Sequence, residues 1–189
     1  MFEVRLHGRG GQGVVTAAEL LSVAAFDEGR FAQAFPSFGS ERTGAPVASF
    51  CRIAETEIRL REPIVDPDAL IIQDPTLFHS VDVFSGLKSD GYLLVNSVKT
   101  PAELGISELA DRLPAGHVRC LPAGEIALRH IDRPLPNAVL LGGFAAMTGV
   151  VGLEAVLKAI RERFAGKVGA ANVAAAEEAF AAVREMAGC

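Results

Sequence analysis

A chain of 189 residues, half of them hydrophobic and 22% charged, has enough apolar material for one α/β domain core and is not a disordered segment. A formal net charge of −5 with no long basic run argues against nucleic-acid binding. The three cysteines, Cys51, Cys120 and Cys189, form no C-x-x-C pair; this argues against a local zinc or iron–sulfur ligand set, and they read as free thiols in a reducing cytoplasm.

Residues 2–7 read as a strand rather than a leader, because no basic stretch precedes an apolar one. Gly8-Arg9-Gly10-Gly11-Gln12-Gly13 follows, then a helix over 14–28 with Val15, Ala18, Leu21 and Ala25 near helical spacing and Gly29 at its C-terminal cap. Strand, glycine turn and helix open a βαβ unit.

Residues 31–35 predict a second strand, followed by a polar loop, Pro36 to Pro46. Residues 47–53 and 56–60, around a turn at Ala54-Glu55, predict a hairpin. Further strands are expected over 69–73, 92–95 and 118–121, and partial helix over 76–87. Thr100 is placed to cap a helix beginning at Pro101, and a short helix is expected over 123–131.

Residues 138–151 form an apolar helical stretch, short of the roughly 20 residues of a membrane span. Leu153, Val156, Leu157, Ile160 and Phe164 share one helical face. Asn172 is expected to cap a last helix. Alternation of strands and helices predicts an α/β fold, a single Rossmann-like three-layer domain over 1–189 with a mostly parallel sheet. The protein is expected in the cytoplasm.

The strongest chemical signal is the loop Gly8, Arg9, Gly10, Gly11, Gln12, Gly13. Glycines admit positive φ and close ligand approach, and the N–H groups of the following helix turn face an anion. Gly8-x-Gly10-x-x-Gly13 also fits the dinucleotide fingerprint. That fingerprint wants an acid about 20 residues on, at the end of the second strand, and residues 31–35 carry none. A tight turn without a ligand is the plainer alternative.

Ser40 and Arg42, in the loop after the second strand, are candidates for a phosphate or carboxylate rim. Arg42 paired with Glu41 is the structural alternative. Asn96, at a strand end, fits ligand contact or a turn, and Asn137 reads as a helix cap. The four histidines are scattered, and no hydrolase elbow or zinc-protease motif occurs. No catalytic residue and no metal site is assigned: the pattern is that of a binding subunit.

The stretch from Arg5 to Gly13 is similar to the opening of the gamma subunits of pyruvate and other 2-oxoacid:ferredoxin (acceptor) oxidoreductases. Phe38-Gly39-Ser40-Glu41-Arg42-Thr43-Gly44-Ala45-Pro46-Val47, Asp74-Pro75-Thr76-Leu77, the run from Gly91 to Ser97, and Pro136-Asn137 with Gly142 and Phe144 resemble four further hallmarks, in order. Phe38 and Thr43 depart from the family's usual Tyr and its Arg or Gly.

The resemblance implies a subunit inactive alone, which helps bind coenzyme A and assemble the enzyme. Thiamine diphosphate, Mg2+ and 4Fe–4S clusters would lie on partner alpha, beta and delta subunits, with ferredoxin or an NAD-linked acceptor taking electrons. Gly8 to Gly13 would cradle coenzyme A phosphates, and Arg42 and its neighbours would shape the rim. The substrate is left as pyruvate, a branched-chain 2-oxoacid or an aryl-glyoxylate such as phenylglyoxylate. A standalone Rossmann-type nucleotide binder is the alternative; neither nucleic acid nor a membrane is expected as partner.

Overall fold

The computed structural model describes residues 1–37 and 43–186. Six strands form one sheet in the order β2-β3-β1-β4-β5-β6. They are β1 (Phe2–Arg9), β2 (Phe31–Pro36), β3 (Pro46–Ala54), β4 (Ala69–Ile72), β5 (Tyr92–Asn96) and β6 (Val118–Leu121). β1, β4, β5 and β6 run parallel, while β3 lies antiparallel between β2 and β1. The mostly parallel α/β sheet expected from the sequence is therefore present.

The helices are α1 (Val14–Asp27), α2 (Ser107–Arg112), α3 (Ala123–Ile131), α4 (Asn137–Thr148), α5 (Leu153–Arg163) and α6 (Gly166–Met186). The main core lies between one sheet face and α1, α3, α4, α5 and α6, with Val4, Leu6, Ile71 and Leu94 beneath Leu21, Leu140, Phe144 and Ile160. A smaller core on the other face joins Leu70, Ile72, Leu93 and Val95 to Leu77, Val83, Ile106 and Leu113. The strand alternation of apolar faces generates both.

α4 has a fully buried run from its first residue, Asn137, to Ala145, as a helix that is apolar all round requires. It crosses α6 closely: a Cβ on Gly142 would stand 2.1 Å from the Ala176 carbonyl oxygen. Gly29, at φ 82, follows the C-terminal end of α1 as expected.

Four local expectations are corrected. Residues 56–60 form no strand. β3 already has β1 on one edge and β2 on the other, so no ladder position is left for a hairpin partner. The helix expected from Pro101 begins at Ser107. Thr100 instead closes a turn with Glu103: Glu103 N–H donates to Thr100 Oγ1 and Thr100 N–H to Glu103 Oε2. Asn172 lies inside α6, its Nδ2 donating to the Val168 carbonyl at 2.9 Å. Gly169 is required where a Cβ would meet the Phe164 carbonyl at 2.0 Å. Finally, Asn137 is the first helical residue of α4 and makes no capping bond.

Candidate functional site

β1 and β4 are parallel neighbours whose connections leave in opposite directions, through α1 to β2 on one side and directly to β5 on the other. Their carboxyl ends mark the switch point at which open α/β sheets bind ligands. The glycine loop ends β1 there, and Gln73-Asp74-Pro75-Thr76 ends β4.

Gly11 has φ 95 and Gly13 φ 74, so both occupy left-handed backbone that side chains disfavour. Gly13 also packs against Asn137, whose Nδ2 lies 2.4 Å from where a Cβ would stand. α1 begins at Val14, and its first-turn N–H groups have no acceptor within the helix. They face a cavity of about 300 Å³ lined by Arg9, Gly10, Gly11, Gly13 and neighbouring valines. Space above Gly11 is open, with nothing within 4 Å of an added Cβ.

Gly8 and Gln12 do not line this cavity. A Cβ on Gly8 would meet Val14 Cγ2 at 2.6 Å, so this glycine lets the loop and α1 sit down on β4. The Gln12 side chain turns inward. Its Oε1 accepts from Arg9 N–H at 2.7 Å, and its Nε2 donates to Asp74 Oδ2 at 2.9 Å. Arg9 completes the bridge, with Nη2 on Thr76 Oγ1 at 2.9 Å, Nη1 on the Gly44 carbonyl at 3.0 Å and Nε 3.2 Å from Asp74 Oδ2. Partial burial pushes the Asp74 carboxyl up, but hydrogen bonds from Thr76 and Gln12 and the Arg9 charge outweigh it, leaving the group below its ordinary value.

Asn96 is spent on the fold: Nδ2 donates to the Gln73 carbonyl and Oδ1 accepts from Gly124 N–H, both at 2.9 Å. It ties the ends of β4 and β5 to the start of α3. The Gln73 side chain, 1% exposed, has neither amide end paired among the described residues. Ser40 and Arg42 lie outside the described residues.

His7 is buried under the loop and takes a hydrogen bond from Arg5 Nε at 3.0 Å. Burial, helped by the Arg5 charge, lowers its pKa to about 4. Burial also pushes the Cys51 thiol up to about 12 and Cys120 up to about 11, the opposite of an activated nucleophile. Among the described residues no three His, Cys, Asp or Glu side chains gather as a metal site. Among the described residues no helix is long and apolar enough to cross a membrane.

The family model for pyruvate ferredoxin/flavodoxin oxidoreductase matches residues 3–182. The chain belongs to this family. Within the family it is of the gamma type, a subunit of an oxidoreductase acting on the oxo group of donors. The pyruvate/ketoisovalerate oxidoreductases common subunit gamma of Thermococcus kodakarensis is 47% identical over 95% of this chain and 96% of its own. Pyruvate synthase subunit PorC of Methanocaldococcus jannaschii is 47% identical over the same shares. The crystal structure of pyruvate oxidoreductase subunit PORC from Thermotoga maritima superposes with a TM-score of 0.80 at 37% identity, over 95% of both chains. The fold also recurs in the 2-oxoglutarate:ferredoxin oxidoreductase of Magnetococcus marinus, at TM-score 0.73 and 15% identity over 98% of this chain and 31% of that one.

Sequence reasoning found the glycine loop and the family. It missed the Gln12–Asp74–Arg9 bridge and the orphaned Gln73 amide. The adjoining Asp74-Pro75-Thr76 hallmark was the available signal for the bridge.

Proposed function

We propose that this chain is the gamma subunit of a coenzyme A-acylating 2-oxoacid:acceptor oxidoreductase and that its glycine loop holds part of coenzyme A. The complex converts a 2-oxoacid, coenzyme A and an oxidised acceptor into acyl-coenzyme A, carbon dioxide and a reduced acceptor. The names of these relatives favour pyruvate and ketoisovalerate as the substrate class. Thiamine diphosphate, Mg2+ and 4Fe–4S clusters belong in this reading to partner alpha, beta and delta subunits, and ferredoxin or an NAD-linked protein takes the electrons. One sheet carrying both cores supports a single gamma-type domain over 1–189.

The observation that carries the coenzyme A assignment is the cavity in front of α1, open above Gly11 and backed by N–H groups that lack helical acceptors. Coenzyme A is a polyanion, and backbone donors at a helix N-terminus with one arginine suit its phosphates. Arg9 supplies the charge, moderated by its pairing with Asp74. Ser40 and Arg42 belong to the proposed rim on family resemblance. Binding energy gathered at the nucleotide end positions the thiol at the reacting carbon, so the subunit raises the rate without exchanging a proton.

The test is anaerobic purification of the native complex, followed by titration with coenzyme A. Co-purification of thiamine-diphosphate and iron–sulfur subunits, with coenzyme A-dependent oxidation of a 2-oxoacid, is the expected result. Gly11→Val places a β-branched residue at φ 95 and is expected to weaken coenzyme A by about ten-fold or more. Unchanged affinity in that complex overturns the loop assignment.

A further inference from the structure

β2 is an edge strand: β3 pairs with one side of it, and among the described residues no strand pairs with the other. We infer that this free edge is a self-pairing surface, on which a second copy of the chain adds its own β2 antiparallel, about a two-fold axis at Gln33. The surface shares no residue with the glycine-loop cavity, so the inference does not rest on the coenzyme A assignment.

The phase of the β2–β3 ladder decides which backbone groups the edge offers. Ser37 N–H donates to the Ala48 carbonyl at 2.9 Å. This continues the register that sets Phe35 opposite Phe50, Gln33 opposite Arg52 and Phe31 opposite Ala54. In an antiparallel ladder every second residue turns both its N–H and its C=O to the same neighbour. Phe31, Gln33 and Phe35 therefore bond β3, while Ala32 and Ala34 present N–H and C=O outward. Pro36 also faces outward, where a missing N–H costs the ladder nothing. Arg30 N–H is taken by the Ala25 carbonyl at 3.2 Å, which confines the free donors of the edge to Ala32 and Ala34.

The sequence between those limits reads the same in both directions: Phe31-Ala32-Gln33-Ala34-Phe35. A two-fold at Gln33 sets Ala32 against Ala34 of the second copy and Ala34 against its Ala32. These two hydrogen-bonded pairs match every outward donor with an outward acceptor. Gln33 meets Gln33, and Phe31 meets Phe35, in the closer, non-hydrogen-bonded pairs. Gln33 Oε1 has no partner among the described residues, and the facing Gln33 brings an Nε2–H to it. Phe31 is 48% exposed. Phe35, already stacked on Phe50 with ring centroids 5.1 Å apart, gives Phe31 an aromatic cross-strand partner. No residue from Phe31 to Pro36 is charged, so the strand lacks the charges by which sheet edges repel a second strand. A strand of unrelated sequence would satisfy the backbone groups but not the two aromatic pairs and the glutamine pair together, which selects a second copy.

Sedimentation of the full chain across concentrations, together with cysteine cross-linking, tests the inference. The seam is small, so a reversible, concentration-dependent dimer is expected. Ala34→Pro removes an outward N–H and leaves the β3 ladder whole. It should weaken the dimer by about ten-fold or more while the melting temperature of the dilute chain stays close to that of the wild type. Non-hydrogen-bonded partners hold their Cα atoms about 4.5 Å apart, within disulfide reach. Gln33→Cys should therefore cross-link two copies on mild oxidation, in the full chain and in the assembled complex, with the bond mapped to position 33 by peptide mass spectrometry. Phe31→Cys should not, because the two-fold sets its two copies four residues out of register, roughly 13 Å apart. A wild type that is monomeric at every concentration, an undiminished dimer in Ala34→Pro, or equal cross-linking of the two cysteine variants overturns the self-pairing. So does capture of a different subunit by Gln33→Cys in the assembled complex.

Discussion

Arg5 Nε donates to His7 Nε2 at 3.0 Å in the buried space beneath the glycine loop. A guanidinium can only donate, so His7 Nε2 is an acceptor and the ring is neutral with its proton on Nδ1. The rest of Arg5 is spent on main-chain carbonyls: Nη1 on Ile64 and Val65, Nη2 on Val83 and Ser85. One cation thereby fastens two covering segments to β1 and forbids a second cation beside it.

A pH dependence follows. The folded-state pKa of His7 is lowered to about 4 from 6.5. Above 6.5 the ring is neutral in both states and costs nothing. As pH falls from 6.5 to 4 the unfolded chain takes up the proton first, so stability is lost across that window. The shift corresponds to about 3 kcal/mol for this buried group. Urea denaturation at pH values from 7 to 4, comparing wild type with His7→Gln, should show the wild type losing more stability. Parallel profiles would contradict the neutral, buried assignment.

Close approach of α4 and α6 makes a second prediction. Gly142→Ala puts a methyl group 2.1 Å from a backbone oxygen of Ala176, which cannot turn aside. The helices must separate, and the expected loss is about 3 kcal/mol or more. Gly124→Ala is the control: its nearest neighbours are the Asn96 amide atoms at 3.5 Å and beyond. There the gain in helix propensity, about 1 kcal/mol, should leave the melting temperature unchanged or raised. Equal losses for both would deny that α4 and α6 are in backbone contact.

Local signals in the sequence carried much of this fold. β1, α1 and α3 are marked by short-range patterns: the alternation from Val4 to His7, the glycines around α1, and Pro122 before α3. What failed was non-local. Residues 56–60 look like a strand, but whether a strand forms depends on a vacant edge, and β3 has none. Asn172 looks like a cap until Gly169 is seen to serve the contact with Phe164. At the site, glycines announce the turn, yet the bridge from Gln12 and Arg9 to Asp74 spans more than sixty positions and has no sequence period to reveal it.

The bridge itself is testable. Asp74→Asn removes the charge that holds Arg9 and weakens the acceptor serving Thr76 N–H at 3.0 Å and Thr76 Oγ1 at 2.6 Å. Asparagine caps about as well as aspartate, so the expected loss is that of the part-exposed pair with Arg9, about 0.2–1 kcal/mol, measured as a shift in the urea midpoint. Freed from Asp74, Arg9 should attract phosphate more strongly, so coenzyme A affinity of the assembled complex should rise as stability falls. A fall in both would show that the bridge shapes the loop rather than restrains the charge.

Asn96 separates structural from ligand-binding roles at the same sheet edge. Asn96→Leu strands the Gln73 carbonyl and the Gly124 N–H, each now bonded at 2.9 Å. Leaving a buried polar group unpaired costs about 1–3 kcal/mol, so the variant should lose about 2–6 kcal/mol for the two groups together, less whatever water recovers. Coenzyme A affinity, measured on the assembled complex well below its melting temperature, should change by less than about two-fold, because neither amide end is free to reach a ligand. A stable variant with a large loss of coenzyme A affinity would reverse the assignment and put Asn96 in the binding site. Chemical denaturation of the full chain and titration of the complex read the two quantities independently.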